Sequence, residues 1–188
     1  SSPIATTSLP LPTFCKMPSV CGSWRVLGAA PPAVLPQSVG ASAIGAVAAD
    51  NWPEFRGPHG DGHADAKNLP LTWSETENVR WKTAIHGKGW SSPVVWKNQA
   101  WVTTAKEDGS EVFAVCVNIE TGKIEHDIKV FDVANPQTEF NNLNTHATPT
   151  PIIEEGRIYV HFGSYGTACL DTKTGKKLWE RRDLNCDH

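Results

Sequence analysis

The sequence holds no run of about 18 consecutive apolar residues, so no segment is fit to cross a bilayer as a helix. It has no block of Lys or Arg either. Its 17 basic residues stand against 20 acidic ones, for a net charge of -3. That balance excludes the basic footprint of a nucleic-acid binder. No CxxC or CxxH pair occurs, so the cysteines do not spell a zinc site. No Asn-x-Ser/Thr sequon occurs, which fits bacterial export better than a eukaryotic secretory route. Nothing shows a 3.6-residue apolar period, so almost no helix is expected.

The scarcities are uneven along the chain. Residues 1–49 carry only two charged side chains, Lys16 and Arg25, and no acid, yet hold seven of the 14 prolines. This composition predicts a leader over 1–49. Met17 is the sole methionine and a possible start, Arg25 supplies the positive region, and residues 26–45 are the apolar region. Ala46-Val47-Ala48 is a small-x-small cleavage site before Ala49-Asp50. Pro31, Pro32 and Pro36 interrupt the apolar region, and a disordered Pro/Ala/Ser tail is the alternative. Beyond this stretch three cysteines remain: Cys116, Cys169 and Cys186. Cys116 and Cys169 are expected as buried free thiols, while spacing leaves open whether Cys186 pairs with either.

What is abundant is internal repetition. Ser92-Pro93-Val94-Val95 matches Thr150-Pro151-Ile152-Ile153, and Trp101-Val102 matches Tyr159-Val160. Further on, Cys116-Val117-Asn118 matches Cys169-Leu170-Asp171, and Thr121-Gly122 matches Thr174-Gly175. The offset shortens across Lys106–Ser110, a polar Asp-Gly loop where length differences are tolerated. Each copy reads as four short strands. The first copy places them at 93–96, 100–105, 112–117 and 123–130. The second places them at 151–154, 157–162, 167–171 and 176–182. Gly122 and Gly175 supply the turns that need positive φ.

Four antiparallel strands at a period of roughly 50 residues predict an all-β fold, a β-propeller built of four-stranded blades. A third copy of the closing strand, Asn78–Ile85, has no three strands before it and reads as a closure strand. The expected organisation is a leader at 1–49 and an N-terminal segment with the closure strand at 50–87. Blades at 88–143 and 144–188 follow. Two blades are few for a ring, so the chain is expected to be the N-terminal part of a longer protein. Trp52, Trp73, Trp81, Trp96, Trp101 and Trp179 are expected to pack between blades, with Trp90 kept for the surface.

The run Ala168-Cys169-Leu170-Asp171-Thr172-Lys173-Thr174-Gly175-Lys176-Lys177-Leu178-Trp179 resembles the signature of the pyrroloquinoline-quinone-like β-propeller repeat family. The copy at Cys116–His126 is degenerate, with Asn118 for the Asp and His126 for the Trp. Asn51-Trp52-Pro53-Glu54-Phe55-Arg56-Gly57-Pro58 and Gly89-Trp90-Ser91-Ser92-Pro93 look like exported bacterial members. The resemblance implies an exported protein of the periplasm or cell envelope. Its expected role is a non-catalytic binding or scaffold module without cofactor, whose partner is a protein or a small molecule. Other members of the family are dehydrogenases that use pyrroloquinoline quinone and Ca2+. Under that alternative the catalytic residues would lie outside this stretch, because no adjacent cysteine pair and no calcium-ligand cluster can be assigned here.

Two groups of residues are candidates for ligand chemistry. Trp90, Ser91, Asn144, Thr145 and His146 precede the inner strands of the two repeats and would approach the axial channel as a ligand funnel. The plainer reading is that Asn and Thr end a loop, with His146 an exposed polar side chain. His59, Asp61, His63 and Asp65 crowd two imidazoles and two carboxylates into a Gly-rich stretch, a weak metal candidate beside a plain surface loop.

Overall fold

The computed structural model describes residues 16–17, 24–29, 51–64, 69–139 and 141–184. It is all-β, and the one helical turn among the described residues is a 3-10 turn at Gly163–Tyr165. The first sheet contains β1 (Lys16–Met17), β2 (Trp24–Ala29) and β3 (Val79–Ile85), in that order. The second is a meander of β4 (Val94–Trp96), β5 (Gln99–Ala105), β6 (Glu111–Asn118) and β7 (Ile124–Asp132). The third repeats it with β8 (Ile152–Glu154), β9 (Arg157–His161), β10 (Thr167–Asp171) and β11 (Lys177–Arg181). Every strand pairing within the three sheets is antiparallel.

The two meanders are the expected blades, and they stack face to face. A single core draws Val94, Trp101, Ala114 and Cys116 from the first, and Ile153, Ile158, Val160 and Leu170 from the second. Each contributing strand alternates inward apolar and outward residues, as period-two side chains must. Trp101 is fully buried and is the largest side chain of this layer. Cys116 and Cys169 are buried free thiols at equivalent positions of the two blades. Burial, with the carboxylate of Glu125 second, pushes the Cys116 thiol far up. Cys186 lies outside the described residues.

The closing turns of the two blades follow one plan. The Asn118 side-chain oxygen accepts the amides of Glu120 and Thr121, both at 3.0 Å. The Asp171 carboxylate accepts Lys173 and Thr174 at 3.1 and 2.7 Å. Asn118 therefore keeps the acceptor that the turn needs, and the departure from Asp is chemically small. Gly122 and Gly175 then close the turns at φ of 71° and 70°.

These turns are also docking points. A Cβ on Gly122 would lie 2.6 Å from Cγ of Trp81, so the indole of β3 sits directly on the glycine. Trp81 Nε1 donates to the Ile119 carbonyl at 2.8 Å, and Thr83 Oγ1 donates to that of Gly122. In the next blade the imidazole of His126 takes the place of the indole, against Gly175. Gln99 Nε2 meanwhile donates to the Thr172 carbonyl at 3.0 Å, the counterpart of Ile119.

One expectation needs adjustment. Trp73 and Trp179 are 47% and 43% exposed, so neither packs between the two blades. Trp73 lies in the irregular stretch before β3, and Trp179 lies on the outer face of the last sheet. In addition β2, inside the stretch read as a leader, pairs along β3 from Trp24↔Ile85 to Ala29↔Val79. The strand read as a ring closure is thus held by a segment from its own N-terminal side.

Residues 51–57 tie the inner edges of the blades together. Trp52 exchanges two backbone bonds of 2.8 Å with Val95, and the Pro53 carbonyl accepts Ile153 N at 2.8 Å. The Trp52 ring covers Gly57, which has a φ of 75° and no room for a Cβ.

Candidate ligand cleft

A meander puts alternate connections at opposite edges of its sheet. The β7–β8 connection and the β9–β10 turn therefore share one end of the molecule, away from the Thr-Gly turns. Between them lies a cleft of about 740 Å³. Its walls come from Asn135 to Pro149 on one side and from His161 to Tyr165 on the other.

Tyr165 organises the two walls. Its hydroxyl accepts the backbone N–H of Gln137 at 2.8 Å and lies 2.8 Å from Nδ1 of His146. Which of the two groups donates follows the tautomer of the His146 ring. The ring is tilted 31° to Tyr165 with centroids 5.8 Å apart. On its other side it rests on Gly109, where a Cβ would come within 2.4 Å. Burial lowers the pKa of His146, partly opposed by the nearby Asp108 carboxylate. Asp108 is itself held below the usual carboxylate range by the hydroxyl and amide of Ser110.

The rest of the wall is polar and nearly neutral. Four side-chain amides line it (Asn135, Gln137, Asn141 and Asn144), with the hydroxyls of Thr145, Thr148, Ser164 and Tyr165. Among the described residues that line it, Glu139 is the sole carboxylate and none is Lys or Arg. His161 bonds through Nδ1 to Thr167 Oγ1 at 2.8 Å, which fixes it at the rim of β9.

Of the funnel residues expected from sequence, Asn144, Thr145 and His146 stand on this wall. Ser91 does not: it is 2% exposed, and its Oγ accepts Thr103 N at 2.9 Å, pinning β5 from within. Trp90 is 44% exposed, and its backbone N–H holds the Ala147 carbonyl at 2.9 Å, but its ring is not part of the wall. Position before an inner strand is thus not enough to face the cleft. Asn141, which opens the Asn-rich run before His146, also stands on the wall, whereas Asn135, Gln137, Glu139 and Ser164, in aperiodic connections, carried no signal in the sequence. Tyr165, in the tight turn between Gly163 and Gly166, suits recognition or packing between blades by sequence, and it lines this wall.

The second candidate group stays apart from the cleft. His59, Asp61 and His63 are exposed, and His63 Nδ1 is 3.5 Å from Asp61 Oδ2. The Asp61 carboxyl is held low chiefly by the His63 backbone N–H. Asp65 lies outside the described residues. No group of three His, Cys, Asp or Glu among the described residues is placed to share a metal ion.

The family whose model is described as outer membrane protein assembly factor BamB matches residues 64–185, which span β3 and both blades. The chain belongs to this family. No curated protein matches the chain. BamB-type repeats account for the two blades and their Thr-Gly turns. The described residues do not fit a quinone with calcium, since the cleft offers a lone carboxylate and the two described thiols are buried in separate sheets. Among the described residues no helix is long and apolar enough to cross a membrane.

Proposed function

We propose that the chain is a non-catalytic binding and scaffold module, exported to the bacterial cell envelope, whose cleft receives an uncharged polar stretch of a partner protein. The wall chemistry carries this reading. Amide side chains both donate and accept, as an extended backbone does, and they can pair with it without burying charge. The described wall residues include no Lys or Arg, which makes the wall a poor match for a strongly anionic ligand. The family description, an outer membrane protein assembly factor, supports a role in contact with other proteins.

The test is site-specific photo-crosslinking in the native host. A benzophenone side chain is placed at Asn144 or Ser164, with Lys123 at the opposite end as control. Adducts to a small set of envelope proteins, from the cleft positions alone, are expected. Equal adducts from Lys123 would remove the cleft from the reading. Reduction of an artificial electron acceptor by protein loaded with pyrroloquinoline quinone and Ca2+ would replace it with the dehydrogenase alternative.

A further inference from the structure

The wall of the cleft offers a partner side-chain donors but no strand edge. Of the described wall residues only His161 lies in a strand, and both sides of that strand are taken, by β8 and β10. The backbone N–H groups of Gln137, Asn144, Thr145 and Tyr165 are spent within the wall. They donate to Tyr165 Oη, the Asn141 carbonyl, Thr148 Oγ1 and the Phe162 carbonyl. A partner therefore cannot be added here as one more strand. The side-chain NH2 groups of Asn135, Asn141 and Asn144, in contrast, make no hydrogen bond among the described residues. Each has two protons to give. Carbonyls of a chain without internal hydrogen bonds would match them, and a polyproline II backbone is of that kind. Proline suits the wall further, because it keeps its carbonyl and lacks the N–H, so it asks for donors alone.

Trp90 stands beside this wall. Its backbone N–H donates at 2.9 Å to the carbonyl of Ala147, between the wall residues His146 and Thr148. Its indole is 44% exposed, yet its backbone is fixed on both sides. A Cβ on Gly89 would stand 2.2 Å from the Thr103 carbonyl oxygen, so the chain there lies directly on β5. Ser91 Oγ accepts Thr103 N, and Ser92 N donates to Thr150 Oγ1, both at 2.9 Å. A large ring on a fixed backbone orders few torsions when it is covered, which suits it as a binding anchor.

Given the reading of the cleft as the seat of an uncharged stretch of a partner protein, we propose that the cleft and Trp90 together receive a proline-containing segment in the polyproline II conformation. Its carbonyls meet the three asparagine amides, and a proline ring packs on the indole face just beyond the wall. Between prolines the segment is uncharged, since the described wall residues hold one carboxylate and no Lys or Arg.

The experiment titrates two capped peptides calorimetrically into the full chain. One alternates proline with serine and glutamine, and the other has alanine at each proline. The proline peptide should bind at least tenfold more tightly. Trp90→Ala should abolish this preference, and Trp90→Phe, which keeps an aromatic face, should retain most of it. Asn144→Ala should weaken the proline peptide, and Lys123→Ala should not. Thermal midpoints show that each variant is folded. Equal affinity for the two peptides, or a preference that survives Trp90→Ala, overturns the proposal. So does failure of both peptides to bind while a crosslinker at Asn144 still captures envelope proteins, and the cleft then keeps a protein partner of another conformation. Loss of both peptide binding and crosslinks removes the reading of the cleft together with the proposal.

Discussion

At the scale of single residues, the glycines of the closing turns carry more than a turn. Gly122 combines a φ of 71° with an indole where its Cβ would stand. Gly122→Val forces a β-branched side chain into the left-handed region, costing about 1–3 kcal/mol, and overpacks Trp81 for about 1–3 kcal/mol more. Gly156 has a similar φ of 78° but nothing within reach of its Cβ. Denaturant melts of the two Val variants should separate these contributions, with Gly122→Val the more damaging. The identity of these turn residues was legible in the sequence. The exchange of duties at the second turn was not. His126 and Gln99 together replace one tryptophan, yet Gln99 reaches the Thr172 carbonyl from 73 positions away in the chain. Only the stacked sheets bring them to one point.

His146 gives a residue-level pH dependence. Burial holds its pKa below the ordinary 6.5, so the folded cleft binds fewer protons than the unfolded chain. Stability contributed by the neutral ring is complete above pH 6.5. It falls as the unfolded form gains its proton, and levels off once the folded ring titrates. Thermal midpoints at pH 7.5 and 5.5 should show a smaller acid-induced drop in His146→Gln than in the parent. An equal drop would place the titration elsewhere.

At the scale of elements, strand positions were read from alternation and turn residues to within about two residues. The third strand of the second blade, Thr167–Asp171, matches the expectation at both ends. Burial was read less well, because residue type says that a side chain is apolar and not which face is covered. Trp73 and Trp179 show the difference. The first sheet poses the same problem for β3. Its anchorage to the first blade is through Trp81 and Thr83, independent of β2. A chain beginning at Ala49 should therefore keep the Trp81 seat on Gly122. Fluorescence and proteolysis of chains with and without residues 1–48 check this. Release of residues 79–85 to protease on shortening would show that β2 holds them instead.

At the scale of the whole molecule, the two blades share one core rather than owning one each. Ile158 is fully buried in that shared layer. Ile158→Ala should cost about 2–5 kcal/mol, and the loss should appear equally in a probe seated in the other blade. Trp101 emission is such a probe. Coincident melts by Trp101 fluorescence and by far-ultraviolet dichroism would show one cooperative unit. A lagging Trp101 transition would show two. The architecture was legible in the sequence because repetition multiplies weak strand signals. The cleft was mostly illegible, because its wall comes from residues 135–149 and 161–165, where no period exists and only proximity defines a neighbour.

The unequal seats of Trp81 and His126 also matter for how a chain of near-identical units finds its order. In the first interface a single indole both fills the glycine seat and reaches the carbonyl. In the second those two tasks fall to His126 and Gln99, and the Gln99 amide is oriented by Trp101 Nε1 at 3.3 Å. Each carbonyl has its own donor, an indole in one seam and an amide beside an imidazole in the other. A blade that slipped one place along the stack would therefore bring the wrong shape to the glycine seat. The two seams are differently keyed locks, and the order of the blades is written in which key fits.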